Sequence, residues 1–406
     1  MIEKDWLFAD LHIHSCYSRA CSKDLSFPSL VKWAKIKGLN LLGTGDFSHP
    51  KWIEEIKKLK SNGKGFYFYE DFPFIVTGEI SLIYTQNERG RRVHLVLFIP
   101  SIEVAEKINS YLDTKGRRDY DGRPIFKISC EEFTFEMMKI SKAIEVIPAH
   151  IWTPYFGVFG SKSGFDSLEE AFGKEIENIH AIETGISSDP SMNWKIKELD
   201  SKAIVSFSDA HSFWPFRLGR EATIFHSCDS YFELVEQIRK NKFVGTIETD
   251  PAYGKYHFDG HIDCDFSCSP NETKKLNGIC PKCGKPLVIG VDYRVDELSE
   301  KNKGEKPENA RIYFTILPLH EIISLCYGVK MESKKAWDIY NILIKEFGNE
   351  FNILLNVSKE EFLEKEVDSK LVDLILKNRE GKIKVAPGYD GEYGIVKMDE
   401  EQKKLF

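Results

Sequence analysis

Histidines and carboxylates are the side chains of the first 250 residues whose types and spacing suit chemistry. They recur at the downstream ends of short apolar runs, which are typical of buried β-strands. In chain order these residues are His12, His14, Asp46, Glu79, His150, Glu183, Asp209 and His211. His94 differs, because it precedes the apolar run HLVLF and would approach from the other end of its strand. Catalytic groups of βα barrels collect at the downstream strand ends, so the pattern predicts a metal centre there.

Two pairs in this set are spaced for joint binding. His12 and His14 are two residues apart, as are Asp209 and His211, and alternate residues of a strand face the same way. Mixed nitrogen and oxygen donors suit Zn²⁺, Mn²⁺ or iron better than Ca²⁺. A carboxylate such as Glu79 can bridge two ions, which together stabilise the attacking and leaving oxygens of a phosphate displacement. The residues therefore predict phosphoester hydrolysis.

The elements that must position these residues alternate along the chain. From Trp6 to Phe243, strand-like runs alternate with helical segments, which predicts an α/β barrel with a mostly parallel sheet. The 406 residues, 42% of them hydrophobic, are enough for about two to four folded domains. We expect three: a phosphoesterase domain (1–250), a small cysteine domain (251–295) and a mainly helical C-terminal domain (296–406).

The cysteine domain has the spacing of a zinc site. Cys264, Cys268, Cys280 and Cys283 form a C-x₃-C-x₁₁-C-x₂-C pattern, which predicts a structural Zn²⁺ held by four thiolates. Replacement of one cysteine by His257 or His261 stays open. Nine cysteines are an odd number without the dense framework of secreted domains, so disulfides are disfavoured.

Net charge and hydropathy exclude two classes of protein. A net charge of −7 excludes an overall basic coat for nucleic acid, although local basic segments remain. These are a loop with Arg117, Arg118, Arg123 and Lys127, and the lysines of the cysteine domain, Lys274, Lys275, Lys282 and Lys285. Each can contact phosphates or be ordinary solvated charge. No apolar run reaches the roughly 18 residues of a membrane span, so we expect a cytoplasmic protein with no membrane partner.

The motifs DLHIHS, GTGD, TGEIS, PAHIW and SDAHS, together with His94, resemble those of the PHP (polymerase and histidinol phosphatase) superfamily. Its members are distorted βα barrels that hold up to three ions and hydrolyse phosphoesters. The resemblance implies a first site of His12, His14, Glu79 and Asp209, a second of Glu79, His94 and His150, and a third that includes Asp46 and His211. Of these residues, we expect Asp209, His12, His14 and Glu79 to be catalytic. The usual Thr-Asp-His element reads Gly45-Asp46-Phe47 here, so the third ion binds weakly or uses His49.

The order of the parts, with the turn-rich segment PGYDGEYG near the end, resembles the endonuclease Q family over essentially the whole chain. This implies a DNA repair nuclease that cuts double-stranded DNA 5′ to hypoxanthine, uracil, xanthine or an abasic site. It also implies two or three divalent ions (Zn²⁺, Mg²⁺ or Mn²⁺) beside the structural Zn²⁺. A deaminated base is mispaired, so turning it out of the stack costs less. The chain has no phosphate-binding G-x₄-G-K-[ST] loop, so ATP-driven unwinding has no chemical basis.

Several loops supply candidate DNA-binding residues. From the loops at the metal-bearing end we expect substrate contacts by Trp152, Tyr155, Gly185, Ser187 and Ser188. The basic loop adds Arg117 and Arg118, and the turn-rich segment near the C-terminus adds Tyr389. For Trp152, Tyr155 and Tyr389, packing within the protein is an equally open reading. The final residues, Gln402–Phe406, resemble the short peptide with which bacterial proteins bind the sliding clamp, so we expect a clamp partner and a nucleoid-associated location.

Two rival functions stay open at this stage. One is a PHP-type small-molecule phosphatase or 3′–5′ exonuclease, which would not need an internal lesion. The other is a lesion-binding protein without catalysis, in which replacing His12 and Asp209 would leave function unchanged.

Overall fold

The computed structural model describes residues 3, 5–300 and 305–397, which form a mixed α/β structure. Its strands are β1 (Trp6–Asp10), β2 (Leu41–Gly43), β3 (Lys60–Ser61), β4 (Tyr67–Tyr69), β5 (Phe72–Gln86), β6 (Arg89–Ile99), β7 (Ile125–Phe126), β8 (Glu145–Pro148), β9 (Ala181–Glu183), β10 (Ala203–Val205), β11 (Ala222–His226), β12 (Gly245–Glu248), β13 (Asp259–His261), β14 (Phe266–Cys268), β15 (Ile312–Thr315), β16 (Lys384–Ala386) and β17 (Ile395–Lys397).

The helices surround the sheets and dominate the last hundred residues. They are α1 (Phe27–Lys37), α2 (Pro50–Ile56), α3 (Ile102–Asp113), α4 (Cys130–Ile140), α5 (Leu168–Phe172), α6 (Pro190–Asn193), α7 (Tyr231–Arg239), α8 (Pro270–Lys275), α9 (Val291–Leu298), α10 (Leu319–Tyr327), α11 (Lys334–Phe347), α12 (Glu350–Leu355), α13 (Lys359–Glu364) and α14 (Ser369–Arg379). Among the described residues, no helix is both long and apolar enough to cross a bilayer.

Strands β1 to β12 form a distorted barrel, in which β1 is one strand of the wall. β1 pairs with β2 in parallel and with β11 antiparallel, and the sheet continues from β2 through β5 and β6 to β8. The parallel pair β9–β10 extends it, since Ile151 donates to the carbonyl of Glu183 and Thr184 to that of Val205. A parallel bridge between Ile13 and Ala210 joins the segment after β1 to the segment after β10. This arrangement confirms the predicted α/β barrel.

The sheet is mixed, whereas we predicted a mostly parallel one. β5 and β6 are antiparallel because only two residues, Asn87 and Glu88, connect them. Both have positive φ, 52° and 62°, as a tight hairpin turn of the primed type requires. Parallel neighbours need a long crossover, so the short connection fixes the opposite direction.

The end of β1 also anchors the segment that carries Asp209. The buried carboxylate of Asp10 accepts hydrogen bonds from the backbone N–H groups of Ser208 at 3.0 Å and Gly219 at 2.8 Å. Burial raises the pKa of Asp10 to about 6. The end of β1 and the segment that follows β10 are thereby held side by side, although Asp10 and Ser208 are 198 residues apart in sequence.

The cysteine segment and the helical C-terminal region both contact the barrel. Arg294 of α9 donates to the backbone carbonyls of Phe159 and Phe165, each at 3.1 Å. β15, which lies in the predicted third domain, pairs in parallel with β12 of the barrel. The helical character of the C-terminal region is confirmed, and the division at 250/251 and 295/296 stays a prediction.

Candidate active site

The first cluster of ligand atoms lies where β1 and β10 end. Nε2 of His14 is 2.9 Å from Oδ1 of Asp209 and 3.4 Å from Oε2 of Glu79. Nε2 of His12 is 3.6 Å from the same two oxygens and has no hydrogen-bond partner, although it is buried. These four ligand atoms lie within 4.8 Å of one another, which is the spacing that a shared divalent ion needs.

The second cluster shares a residue with the first. Oε1 of Glu79 is 2.8 Å from Nδ1 of His94 and 3.2 Å from Nε2 of His150. Because Oε2 of the same carboxylate faces His12 and His14, the two oxygens of Glu79 point to different clusters. Glu79 is thus placed to bridge two ions.

Carboxylates outside the clusters orient the histidines. Nδ1 of His12 donates to Glu183 at 2.9 Å, and Nδ1 of His14 donates to Asp46 at 2.9 Å. Glu183 also accepts the backbone N–H of His150 at 2.8 Å. Such partners fix the ring tautomer and leave Nε2 for the ion. From the sequence, Glu183 was a strand-end carboxylate for substrate or backbone, without a clear place in the metal sites. Its contact with His12 could not be foreseen, because the two residues are 171 positions apart and only folding brings them together.

The structure does not assemble the predicted third site from its described residues. Oδ1 of Asp46 is taken by His14, and Oδ2 accepts bonds from the backbone and hydroxyl of Ser15, both at 2.6 Å. His211 bonds the backbone carbonyl of Asp209 through Nδ1 at 2.9 Å. His49, the suggested substitute, caps α2 by accepting from the backbone N–H of Lys51. Asp46 is therefore placed to orient His14, and its part in a third ion site stays a prediction.

The electrostatics of the two clusters favour bound cations. Burial raises the pKa of the Glu79 carboxyl, but His94, Arg123 and His12 outweigh it and hold the pKa well below its usual value. Burial lowers the pKa of His94 to about 4. Burial also lowers the pKa of His12, yet Glu183 and Glu79 reverse this and raise it well above 6.5.

Three of these residues have unusual backbone conformations. The φ angles of Asp46, His150 and Asp209 are 43°, 32° and 50°, in the left-handed region. Each such residue costs on the order of 1–3 kcal/mol and persists only where its surroundings determine it. The strand-end turns aim these side chains inward, which links the strain to the site.

A cavity of about 270 Å³ opens beside the clusters. Its wall includes the ligands His94, His150 and Asp209, and it includes the predicted substrate residues Tyr155, Gly185 and Ser187. Arg123 also lines it and places Nη1 2.9 Å from Oε2 of Glu79. The two predicted loops also contribute Thr153, Pro154, Phe156 and Ile186 to the wall, and sequence reasoning missed Phe207, Ser208, Arg220 and Tyr256. Of these residues, Ser208 could have been predicted, because it directly precedes the predicted site residue Asp209.

The remaining predicted substrate residues lie away from the cavity wall. Trp152 is buried and donates from Nε1 to Asn193 at 2.8 Å, and Ser188 is buried and bonds the carbonyl of Thr184. Their side chains pack inside the protein, behind the loop that carries Ser187. Arg117 pairs with Asp119 at 2.9 Å on the surface, whereas Arg118, which is largely buried, pairs with Asp113 at 2.8 Å. The hydroxyl of Tyr389 donates to Asp265 at 2.8 Å.

A third ligand cluster lies in the cysteine segment, and it differs from the predicted four-cysteine set. It brings together His261, Cys264, Cys280 and Cys283, all within 4.8 Å. Sγ of Cys268 instead contacts Oγ1 of Thr273 at 3.2 Å. The difference arises because Cys268 ends β14 opposite Asp259, whereas His261, at the other end of the hairpin, reaches Cys283. Three thiolates and one imidazole are a common structural zinc set.

Comparison with protein families and curated proteins finds relatives in archaea and bacteria. Residues 318–382 match the family described as the MJ0043 C-terminal domain. The uncharacterized protein MJ0043 of Methanocaldococcus jannaschii is 32% identical over 297 residues, which are 72% of this chain and 36% of that protein. The chain thus spans about a third of the length of this relative. The uncharacterized protein YqxK of Bacillus subtilis is 27% identical over 96% of this chain and 99% of its own.

Comparison with solved structures finds two full-length matches. A lesion-specific endonuclease, PfuEndoQ from Pyrococcus furiosus, is 32% identical with a TM-score of 0.88, over 98% of this chain and 97% of its own. A complex of endonuclease Q with a 27-mer duplex that carries an abasic lesion at the active site is 32% identical with a TM-score of 0.86, over 98% of each chain.

Proposed function

Because the chain belongs to the endonuclease Q family, we propose that it is a metal-dependent DNA repair endonuclease. It cuts double-stranded DNA 5′ to a deaminated base, such as hypoxanthine, uracil or xanthine, or 5′ to an abasic site. One observation supports this most strongly: two ligand clusters share Glu79 and border one cavity. That arrangement suits a phosphate at the ions that Glu79 would bridge and a nucleoside in the cavity.

The residues present fit divalent ions. Nε2 of His12 is buried without a partner, while its Nδ1 is fixed by Glu183, so the free nitrogen is suited to an ion. The mixed nitrogen and oxygen donors suit Zn²⁺ or Mn²⁺, and Mg²⁺ where water completes the shell. The first cluster and the second would hold one ion each. When bound, such ions supply the positive charge that stabilises the attacking and leaving oxygens.

The chain's own groups perform the remaining tasks. Asp209 has 31% of its side chain exposed, whereas Glu79 is fully buried, so Asp209 is the cluster carboxylate open to the cavity. It orients the attacking water. Arg123, which lines the same cavity, meets the negative charge of the scissile phosphate. His12 and His14 would hold the ion of the first cluster in the orientation that Glu183 and Asp46 impose.

The cavity receives the base that is turned out of the duplex. Its volume of about 270 Å³ is close to the lower end of the usual range for small-molecule sites. Tyr155 offers a ring for stacking, and Gly185 and Ser187 offer backbone and hydroxyl groups to a base carbonyl. Trp152 and Ser188 support this loop from behind, since both bond to Asn193.

Further contacts complete the proposal. The cluster of His261 and three cysteines holds a structural Zn²⁺, because four protein ligands leave no position for water. Arg117 is exposed, Arg118 is largely buried and Tyr389 is half-buried, so these residues are candidates for contacts with DNA outside the lesion. The clamp-binding peptide, Gln402–Phe406, lies outside the described residues, so a clamp partner and a nucleoid-associated cytoplasmic location stay predictions.

Cleavage of a defined duplex tests the function. Metal-loaded protein is incubated with a duplex that carries one internal hypoxanthine, with the undamaged duplex and with histidinol phosphate. We expect a single cut 5′ to the hypoxanthine, none in the undamaged duplex, and loss of cutting in His12→Gln and Asp209→Asn. Stepwise shortening from the 3′ end would favour an exonuclease, and hydrolysis of the monoester alone would favour a phosphatase. Lesion binding unchanged by both substitutions, without any cut, would favour a binding protein.

A further inference from the structure

The β5–β6 hairpin extends beyond the two metal clusters, and its far end is basic. β5 continues from Glu79 to Gln86, and β6 begins at Arg89, five residues before His94. At about 3.4 Å per residue, Arg89 therefore lies about 17 Å along the strand from His94. The segment Arg89-Gly90-Arg91-Arg92 forms the start of β6, at the end of the hairpin that is farthest from His94.

Arg89 borders a second cavity, distinct from the one at the clusters. Its volume is about 680 Å³, and its opposite wall is formed by the loop that carries Lys162 and by α9. Arg89 and Lys162 are both exposed to solvent. The cavity lies between the barrel and the helix that follows the cysteine cluster, where a chain can pass along the surface.

The charges of this cavity do not balance. Its two carboxylates, Asp166 and Glu297, both pair with Arg294. Within the described part of the chain, neither Arg89 nor Lys162 has a carboxylate partner. Arg91, which also lines the cavity, pairs with Glu170. Four cations thus face three carboxylates, which leaves a net charge of +1, and Arg89 and Lys162 are the two cations that no carboxylate pairs with among the described residues.

The cavity is held rigidly to the metal clusters. The backbone N–H of His94 donates to the carbonyl of Phe156 at 2.9 Å, and that of Arg92 donates to Ser163 at 3.2 Å. The ring of Phe156 also stacks on His94 at 4.3 Å. The loop that carries Lys162 is thus bonded to the strand that carries a metal ligand, which fixes the distance between the two sites.

We infer that Arg89 and Lys162 together bind one backbone phosphate of the DNA, separate from the scissile phosphate. Successive phosphates advance about 3.4 Å along the duplex axis, so a span of about 17 Å places this phosphate within about five nucleotides of the cut. The inference rests on the proposed function, since it assumes a DNA phosphate at the clusters.

A paired charge deletion in protein and DNA tests the inference. A duplex with a stable abasic analogue receives one neutral methylphosphonate linkage at a time, at each of the five phosphates on either side of the scissile one. Kd is measured by fluorescence anisotropy in an Asp209→Asn background, which prevents cutting. Arg89→Gln/Lys162→Gln is compared with Lys107→Gln/Lys139→Gln, which removes equal charge from α3 and α4.

We expect one or two adjacent neutral linkages to weaken binding by the parent about tenfold, and Arg89→Gln/Lys162→Gln to lose sensitivity at those linkages alone. The salt dependence of log Kd should fall in slope by about 1 in that variant and stay unchanged in the control. The inference would be overturned if Arg89→Gln/Lys162→Gln kept the parent's sensitivity at every linkage. It would also be overturned if that variant lost no more affinity than the control Lys107→Gln/Lys139→Gln. Wild-type protein is also tested for cleavage of the same duplex with natural linkages. If it cuts while the phosphate contact fails its test, only this inference is overturned; if it does not cut, the proposed function fails.

Discussion

Glu183 accepts a hydrogen bond from Nδ1 of His12 at 2.9 Å, and both side chains are buried. The contact directs Nε2 of His12 toward the first cluster. The other oxygen of Glu183 accepts the backbone N–H of His150, a member of the second cluster. One carboxylate outside both clusters therefore positions a ligand of each.

Glu183→Gln should weaken ion binding by about 10–100-fold, because it removes the negative charge that supports His12 while keeping the size of the side chain. Competition with a chelator measures the affinity. The matched control is Glu145→Gln, since Glu145 is also buried and accepts from Nδ1 of His180 at 2.9 Å, away from the clusters. Equal ion affinity in the two variants would contradict the role of Glu183.

Ion binding should also depend on pH. Burial lowers the pKa of His14, but Asp46 and the other acids outweigh it, so the pKa of His14, like that of His12, lies well above 6.5. A proton must leave each imidazole nitrogen that binds an ion, so affinity should rise as pH increases from 6.5 through the raised values. Calorimetry in buffers of different ionisation enthalpy should detect the released protons. Equal affinity at low and high pH without proton release would contradict this assignment.

The metal-free fold should show the opposite dependence. A histidine whose pKa is higher in the folded than in the unfolded chain stabilises the fold fully below the unfolded pKa, near 6.5. That contribution is lost as pH rises through the raised pKa. In the presence of chelator, the Tm should therefore fall over this range, whereas ion-loaded protein should keep its Tm.

The sequence predicts the position of the site better than the roles within it. His12, His14 and Asp209 could be placed because strand ends and two-residue spacing are local features. Asp46 was assigned to a third ion through the resemblance to the PHP superfamily, yet contacts with His14 and Ser15 involve both its oxygens. Such roles depend on partners that only the folded chain brings together.

The same limit applies to the direction of strands and to the cysteine cluster. The apolar run of β6 could be recognised, but the two-residue turn that makes it antiparallel to β5 was not used as a signal. Spacing alone placed Cys268 in the zinc set, because four cysteines at short intervals fit one. The register of β13 against β14 decides otherwise by bringing His261 to Cys283.

Substitutions in the cysteine segment test this ligand set. Cys268→Ser should keep the zinc content of the parent protein, because its Sγ contacts Thr273 rather than the cluster. Cys264→Ser and His261→Ala should lower the zinc content or weaken retention against a chelator, since each removes a ligand. Metal analysis of the purified variants gives the readout. Zinc loss in Cys268→Ser with full retention in His261→Ala would restore the four-cysteine set.

The buried ion pair between α1 and α12 should support both stability and activity. Nζ of Lys37 lies 2.7 Å from Oε1 of Glu350 and donates to the carbonyl of Pro215, four residues after His211. Lys37→Met leaves the carboxylate buried without its cation and should lower the free energy of unfolding by about 3–5 kcal/mol. Lys35→Met, on the same helix, breaks an exposed pair with Asp71 and should cost about 0–1 kcal/mol.

Denaturant unfolding of both variants measures these free energies, and lesion cleavage by the folded Lys37→Met protein measures the effect on the site. We expect reduced cleavage, because the lost bond to Pro215 loosens the segment that begins at Asp209. Equal stability of the two variants would show that Glu350 is satisfied without Lys37, through Tyr340 at 2.8 Å and the backbone of Leu319 at 3.0 Å. Unchanged cleavage by a destabilised Lys37→Met protein would limit the pair to joining the helical region to the barrel.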